Sequence, residues 1–157
     1  MATSNRTIEY ARIAFISPEL IAVLVVFLFW LTTPRFFARF AELVITAEFG
    51  SLLTLLGVPC AILFTVYRLG FETLNPPEKK DILVKWPEYW KLKVRIIISL
   101  ISAILALVGA WLGWYLIDSG RIPGGSLLTV ASLALGATTV ASVAFARLEL
   151  RDILHGA

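Results

Sequence analysis

Apolar residues fall into four blocks, separated by short polar breaks. The first runs from Leu20 to Leu31 and is preceded by Ser17-Pro18-Glu19. Serine can cap a helix, proline suits its first position, and glutamate complements the positive end of the dipole. A helix over 18–33 rises about 24 Å at about 1.5 Å per residue. A hydrocarbon core is about 30 Å thick. Either the helix begins before Pro18, or Trp30 and the residues after it complete the crossing. Upstream, Ile8, Ala11, Arg12 and Phe15 recur at helical spacing. That spacing fits a surface helix or an extension of the first span equally well. No small-x-small cleavage pattern follows the apolar run, so the segment is expected to stay as a span rather than leave as a signal peptide.

Pro34 to Glu42 alternates arginine with phenylalanine. Phe36, Phe37 and Phe40 are expected on one side of a helix and Arg35, Arg39 and Glu42 towards the other, as in an interfacial element, with lipid-headgroup binding by the two arginines as the functional alternative. The second block, about 45–67, holds Pro59 near its middle. Proline cannot donate to the carbonyl four residues back, so a kink is predicted there. Such kinks usually aid packing, and Pro59 is also the hinge candidate.

Asn75-Pro76-Pro77 ends the helix that follows, because a residue before proline avoids the α region. The longest polar run comes next. It holds Lys79, Lys80, Lys85, Lys91, Lys93 and Arg95, interleaved with Trp86, Tyr89 and Trp90. Pro87 is a predicted helix start, which sets Tyr89 and Trp90 at headgroup level. The third block, about 94–117, carries Ser102, Ala106 and Ala110 at four-residue spacing, and the pair Gly109 and Gly113. Small residues at that spacing let a second helix approach closely. Trp111, Trp114 and Tyr115 form an aromatic belt at its end. The run 118–125 is read as a tight turn, with Gly124 and Gly125 inside it. The fourth block, about 127–146, is dominated by small and hydroxyl residues, among them Ala134, Ala137, Thr138 and Ala141. Such a helix is a poor match for lipid on every side. It belongs in a tight interface or along a polar path.

Composition points the same way. The chain has 157 residues, 59% hydrophobic and 16% charged, with a mean hydropathy of +0.85. A soluble domain is about half apolar and about a quarter charged. The expected class is therefore all-α integral membrane: one domain over 1–157, four transmembrane helices in two helical hairpins, and short interfacial helices. The net charge of +3 would suggest nucleic acid in a soluble protein. Here it reads as topology, with no nucleic-acid partner. With four spans, Arg6, Arg12, the basic residues from Arg68 to Arg95, Arg147 and Arg151 share one side. Only Arg35, Arg39 and Arg121 lie on the other. The bias puts both termini and the 68–93 loop in the cytoplasm, and a bacterial inner membrane is the expected location.

No apolar block carries a charged residue near its middle, where proton relays and voltage sensors place theirs. No histidine lies in any block, which disfavours histidine-ligated haem. The only cysteine is Cys60 and the only histidine is His155. No metal-ligand spacing, phosphate loop or nucleophile set is present. The sequence thus predicts no catalytic, cofactor-binding or metal-binding residues. It predicts a non-catalytic membrane subunit. That subunit would pair through its third and fourth spans, with copies of itself or another membrane subunit, and recruit a cytoplasmic protein through the basic-aromatic 72–95 loop. The loop is equally suited to anionic lipid. The alternative is a pore-forming effector of the holin or antiphage-defence type, with Thr138, Thr139 and Ser142 along a path.

Overall fold

The computed structural model describes residues 17–46, 49–75 and 89–155, and every element in them is an α-helix. The order is α1 (Pro18–Thr32), α2 (Pro34–Thr46), α3 (Phe49–Leu74), α4 (Tyr89–Asp118) and α5 (Ile122–His155). Residues 1–16, including the predicted surface helix, lie outside the described set.

The cap predicted for α1 is present: the Ser17 hydroxyl accepts from the Leu20 N–H at 3.3 Å. α1 exposes most of its apolar side chains, from Leu20 and Ile21 to Phe29 and Leu31, and half-buries only the line Ala22, Val26 and Trp30. Water would penalise that surface and lipid would not. α1 ends at Thr33, whose N–H and hydroxyl both donate to the Phe29 carbonyl, at 2.8 and 2.7 Å. Pro34 then opens α2 at 101° to α1. Phe29 holds the elbow, its ring centroid 5.5 Å from that of Phe36 and 5.8 Å from that of Phe37. α2 continues to Thr46, four residues past the predicted interfacial element, so Ile45 belongs to it rather than to α3. The Thr46 hydroxyl closes the helix by donating to the Glu42 carbonyl at 2.8 Å.

α4 and α5 form an antiparallel hairpin. Its connection is shorter than the predicted turn over 118–125. Gly120 adopts φ +83°, its N–H donates to the Ile117 carbonyl, and the Arg121 N–H donates to the Leu116 carbonyl. That is a Schellman cap, closed by a glycine in the left-handed region. α5 starts immediately after it at Ile122, so Gly124 and Gly125 are its first turn rather than part of the connection.

Gly125 needs its missing side chain for a different reason. A β-carbon there would meet the Gly113 carbonyl oxygen at 2.7 Å. The close seam continues with Gly109 against Ser132 and Ala106 beside Gly136. α3 packs on the same pair. Val66, Ala103 and Val143 form a buried cluster, flanked by Ile62, Leu63, Leu100 and Val140.

The first two apolar blocks do not form the hairpin expected of them. α1 packs along α5, not along α3. α5 therefore touches every other described helix. Its composition explains this, because a helix approached from several sides must carry small residues. Two described helices, α4 and α5, are long and apolar enough to cross a membrane, and the bent pair α1–α2 makes a third if taken as one crossing. The four-span count of the sequence is finer than this. On α4, Trp90 and Trp111 are 21 positions apart, or about 32 Å, which matches a hydrocarbon core of about 30 Å between aromatic belts.

Candidate functional site

The site is the end of the bundle where α3 leaves the apolar region and α4 enters it. Arg68 is the first charge after the apolar run of α3, and Glu72 follows one turn later. Their side chains pair at 3.0 Å. The other Glu72 oxygen meets Arg147 of α5 at 2.9 Å. One carboxylate thus joins two guanidiniums and ties α3 to α5. All three side chains are at least a third exposed, so the pairs position the helices more than they stabilise them. Below Glu72, Thr73 is buried and its hydroxyl donates to the Leu69 carbonyl at 2.6 Å. Asn75 closes α3, its N–H and its side-chain amide both donating to the Phe71 carbonyl. Past Arg147, Leu150 is buried, so α5 stays packed beyond its apolar stretch.

α4 supplies the remaining groups. Tyr89, Trp90 and Lys91 are half-buried in its first turn, and Lys93 is exposed. The Lys91 ammonium lies 5.8 Å from the centre of the Trp90 ring, within cation–π range. Arg95 is half-buried and donates to the Ser142 hydroxyl of α5 at 3.4 Å. One turn deeper on the same face, the Ser99 hydroxyl is buried with no hydrogen-bond partner. The seam that sets Gly109 against Ser132 and Ala106 beside Gly136 continues to this point. By that register Ser99 lies level with Ser142.

Of the predicted loop residues, Tyr89, Trp90, Lys91, Lys93 and Arg95 stand on this rim. Lys79, Lys80, Lys85 and Trp86 lie outside the described residues. Sequence reasoning gave no site role to Glu72 or Ser99, set Ser142 only on the alternative pore path and counted Arg147 only for topology. The i,i+4 spacing of Arg68 and Glu72 was a visible signal. The reach of Glu72 to a residue 75 positions later was not.

The predicted packing residues divide. Ala106, Gly109, Ala110 and Gly113 are buried within the chain, and Ser102 is half-buried. On α5, Ala134 and Thr138 are half-buried, whereas Ala137 and Ala141 are exposed in a line with Phe145 and Leu148. Most α5 hydroxyls turn back on their own helix: Thr129 donates to the Gly125 carbonyl, Thr138 to that of Ala134 and Thr139 to that of Leu135. Pro59 is buried inside α3, which runs unbroken from Phe49 to Leu74.

Among the described residues, no three His, Cys, Asp or Glu side chains gather as a metal site would require. The rim offers cations, aromatic edges and a single shared carboxylate. That set can hold an anionic or aromatic surface. Among its described residues no nucleophile is paired with a base. No family model, curated protein or solved structure matches the chain.

Proposed function

We propose that the chain is a non-catalytic, four-span subunit of a bacterial inner membrane that recruits a cytoplasmic protein through its 72–95 segment. In this reading α1 and α3 to α5 are the crossings, and the basic end faces the cytoplasm with both termini. The observation that carries it is the Arg147–Glu72–Arg68 junction, with Arg95 on Ser142 beside it. These contacts lock together the end of α3, the start of α4 and the extension of α5. Both roots of the 76–88 connection are thereby tied to α5. A loop needed only for topology has no use for such a frame, whereas a docking loop gains from preorganisation.

The test is a pull-down from native membranes. Trp86→Ala or Trp90→Ala should abolish capture of the partner while insertion persists. If both variants keep every partner, the reading fails. Self-association would use the exposed line of Ala137 and Ala141, since the α4 glycines already face α5.

A pore is the second reading. The observation in its favour is Thr138, half-buried beside that exposed line. Against it, Thr138 already donates to its own helix, and Thr129 and Thr139 are buried. Thr138→Leu should alter ion flux through liposomes if a pore exists. No flux from the purified protein excludes it.

A further inference from the structure

α3 reaches the basic rim at Glu72, near its C-terminal end, and α2 ends just before the start of α3, which assigns α2 to the end away from the rim; the function proposed above makes no use of it. α2 has three distinct sides. Phe37 and Ala41 are buried against the bundle, where α2 meets α4 and α5. Arg35, Arg39, Glu42 and Thr46 lie opposite, within about one quadrant of the helix at 100° per residue. Phe36, Leu43 and Ile45 flank them, exposed by 49%, 67% and 54%.

Arg35 and Arg39 are both exposed. Neither forms an ion pair or hydrogen bond with a described residue, and Glu42 is paired with neither. They do not serve the helix either. Cations in the first turns of a helix oppose its dipole, and α2 has no acidic residue in its first turn to offset them.

The geometry supplies the missing partner. A helix at 101° to a membrane-crossing α1 lies along the membrane plane. α1 has 15 residues, or about 22 Å, against a hydrocarbon core of about 30 Å. Measured from Pro18 at the opposite surface, α2 lies about 8 Å inside the far edge of that core, a gap that long arginine side chains span by snorkelling. Its arginines then project among headgroups, with Phe36, Leu43 and Ile45 beside acyl chains.

We infer that Arg35 and Arg39 of α2 bind the phosphates of anionic phospholipid in the leaflet opposite the basic rim, and so anchor that end of the bundle. Guanidinium suits phosphate because its donors match two oxygens at once. The inference rests on α1 being a crossing, as in the four-span reading.

The test places an environment-sensitive fluorophore at Ala38→Cys, in a Cys60→Ser background, with the full chain in phosphatidylcholine vesicles. Spin-labelled phosphatidylglycerol or spin-labelled phosphatidylcholine is added at equal mole fraction. Phosphatidylglycerol should quench at an effective concentration on the order of tenfold higher. Arg35→Gln with Arg39→Gln should erase the preference, and Arg35→Lys with Arg39→Lys should keep most of it. Added inorganic phosphate should leave it unchanged. Equal quenching by the two lipids overturns the inference, as does a preference that survives both glutamines or is abolished by free phosphate. No quenching by either lipid overturns it too, and removes α1 as a crossing as well. The pull-down tests the basic rim independently of that result.

Discussion

Gly113 and Gly125 face each other across the α4–α5 seam so closely that neither tolerates a β-carbon. On Gly113 it would meet the Gly125 carbonyl oxygen at 2.9 Å, and on Gly125 the Gly113 carbonyl oxygen at 2.7 Å. Both obstacles are backbone, so the helices themselves would have to separate. Gly113→Ala or Gly125→Ala should therefore cost about 1–3 kcal/mol, as overpacking does, even after the gain in helix propensity. Gly109→Ala meets only side chains, those of Ser132 and Leu128; the crowding Ser132 hydroxyl can rotate, and the change should be near neutral. Denaturant unfolding of the purified variants separates these outcomes.

The turn offers a second contrast between glycines. Gly120 has φ +83°, and a β-carbon there meets no neighbour. Gly120→Ala should cost about 1–2 kcal/mol from backbone conformation alone. Gly124 is equally open but lies in the first turn of α5. Gly124→Ala should be neutral or stabilise by up to about 1 kcal/mol. Thermal unfolding in one detergent ranks the pair.

Ser99 and Ser142 lie level with each other and should respond in opposite directions. The buried Ser99 hydroxyl has no partner, so Ser99→Ala removes an uncompensated polar group and should be neutral or stabilising. Ser142→Ala takes away the acceptor of Arg95 and should cost about 0.5–1.5 kcal/mol. Unfolding curves for the two single variants and the double variant check the signs and any coupling.

The Glu72 junction is electrostatic and largely exposed. Glu72→Gln should cost no more than about 1 kcal/mol. The difference from wild type should shrink in about 1 M salt, where charges are screened within about 3 Å. Its larger effect should fall on geometry: the distance between spin labels at Asn75 and Tyr89 should broaden in the variant. An unchanged distribution would show that the frame does not depend on this junction.

Much of the helical layout is legible in the sequence, because each signal is local. The Ser17 cap, the stop at Asn75, the apolar stretch of α4 and the small residues of α5 all act within a few turns. What was not legible is pairing at a distance. Two adjacent apolar blocks suggest a hairpin, yet Thr33 and Pro34 turn the chain by 101° and send α1 to α5 instead. No local pattern encodes that choice, which depends on whether two surfaces about 100 positions apart fit each other. The rim shows the same divide. The density of lysine and tryptophan marked the segment, whereas the carboxylate that organises its base, Glu72, stands outside the basic run and finds Arg147 only once α5 is in place.

The position of α5 has a consequence for biogenesis. It follows the other described helices in the chain, and all four of them pack against it. While the ribosome is still making α4, α1 has α2 beside it but lacks its main packing partner. α3 and α4 can pair before α5 is made, whereas α1 docks only once α5 is present. Any insertase or chaperone that shelters α1 during that interval has to release it to a helix made about 100 residues later.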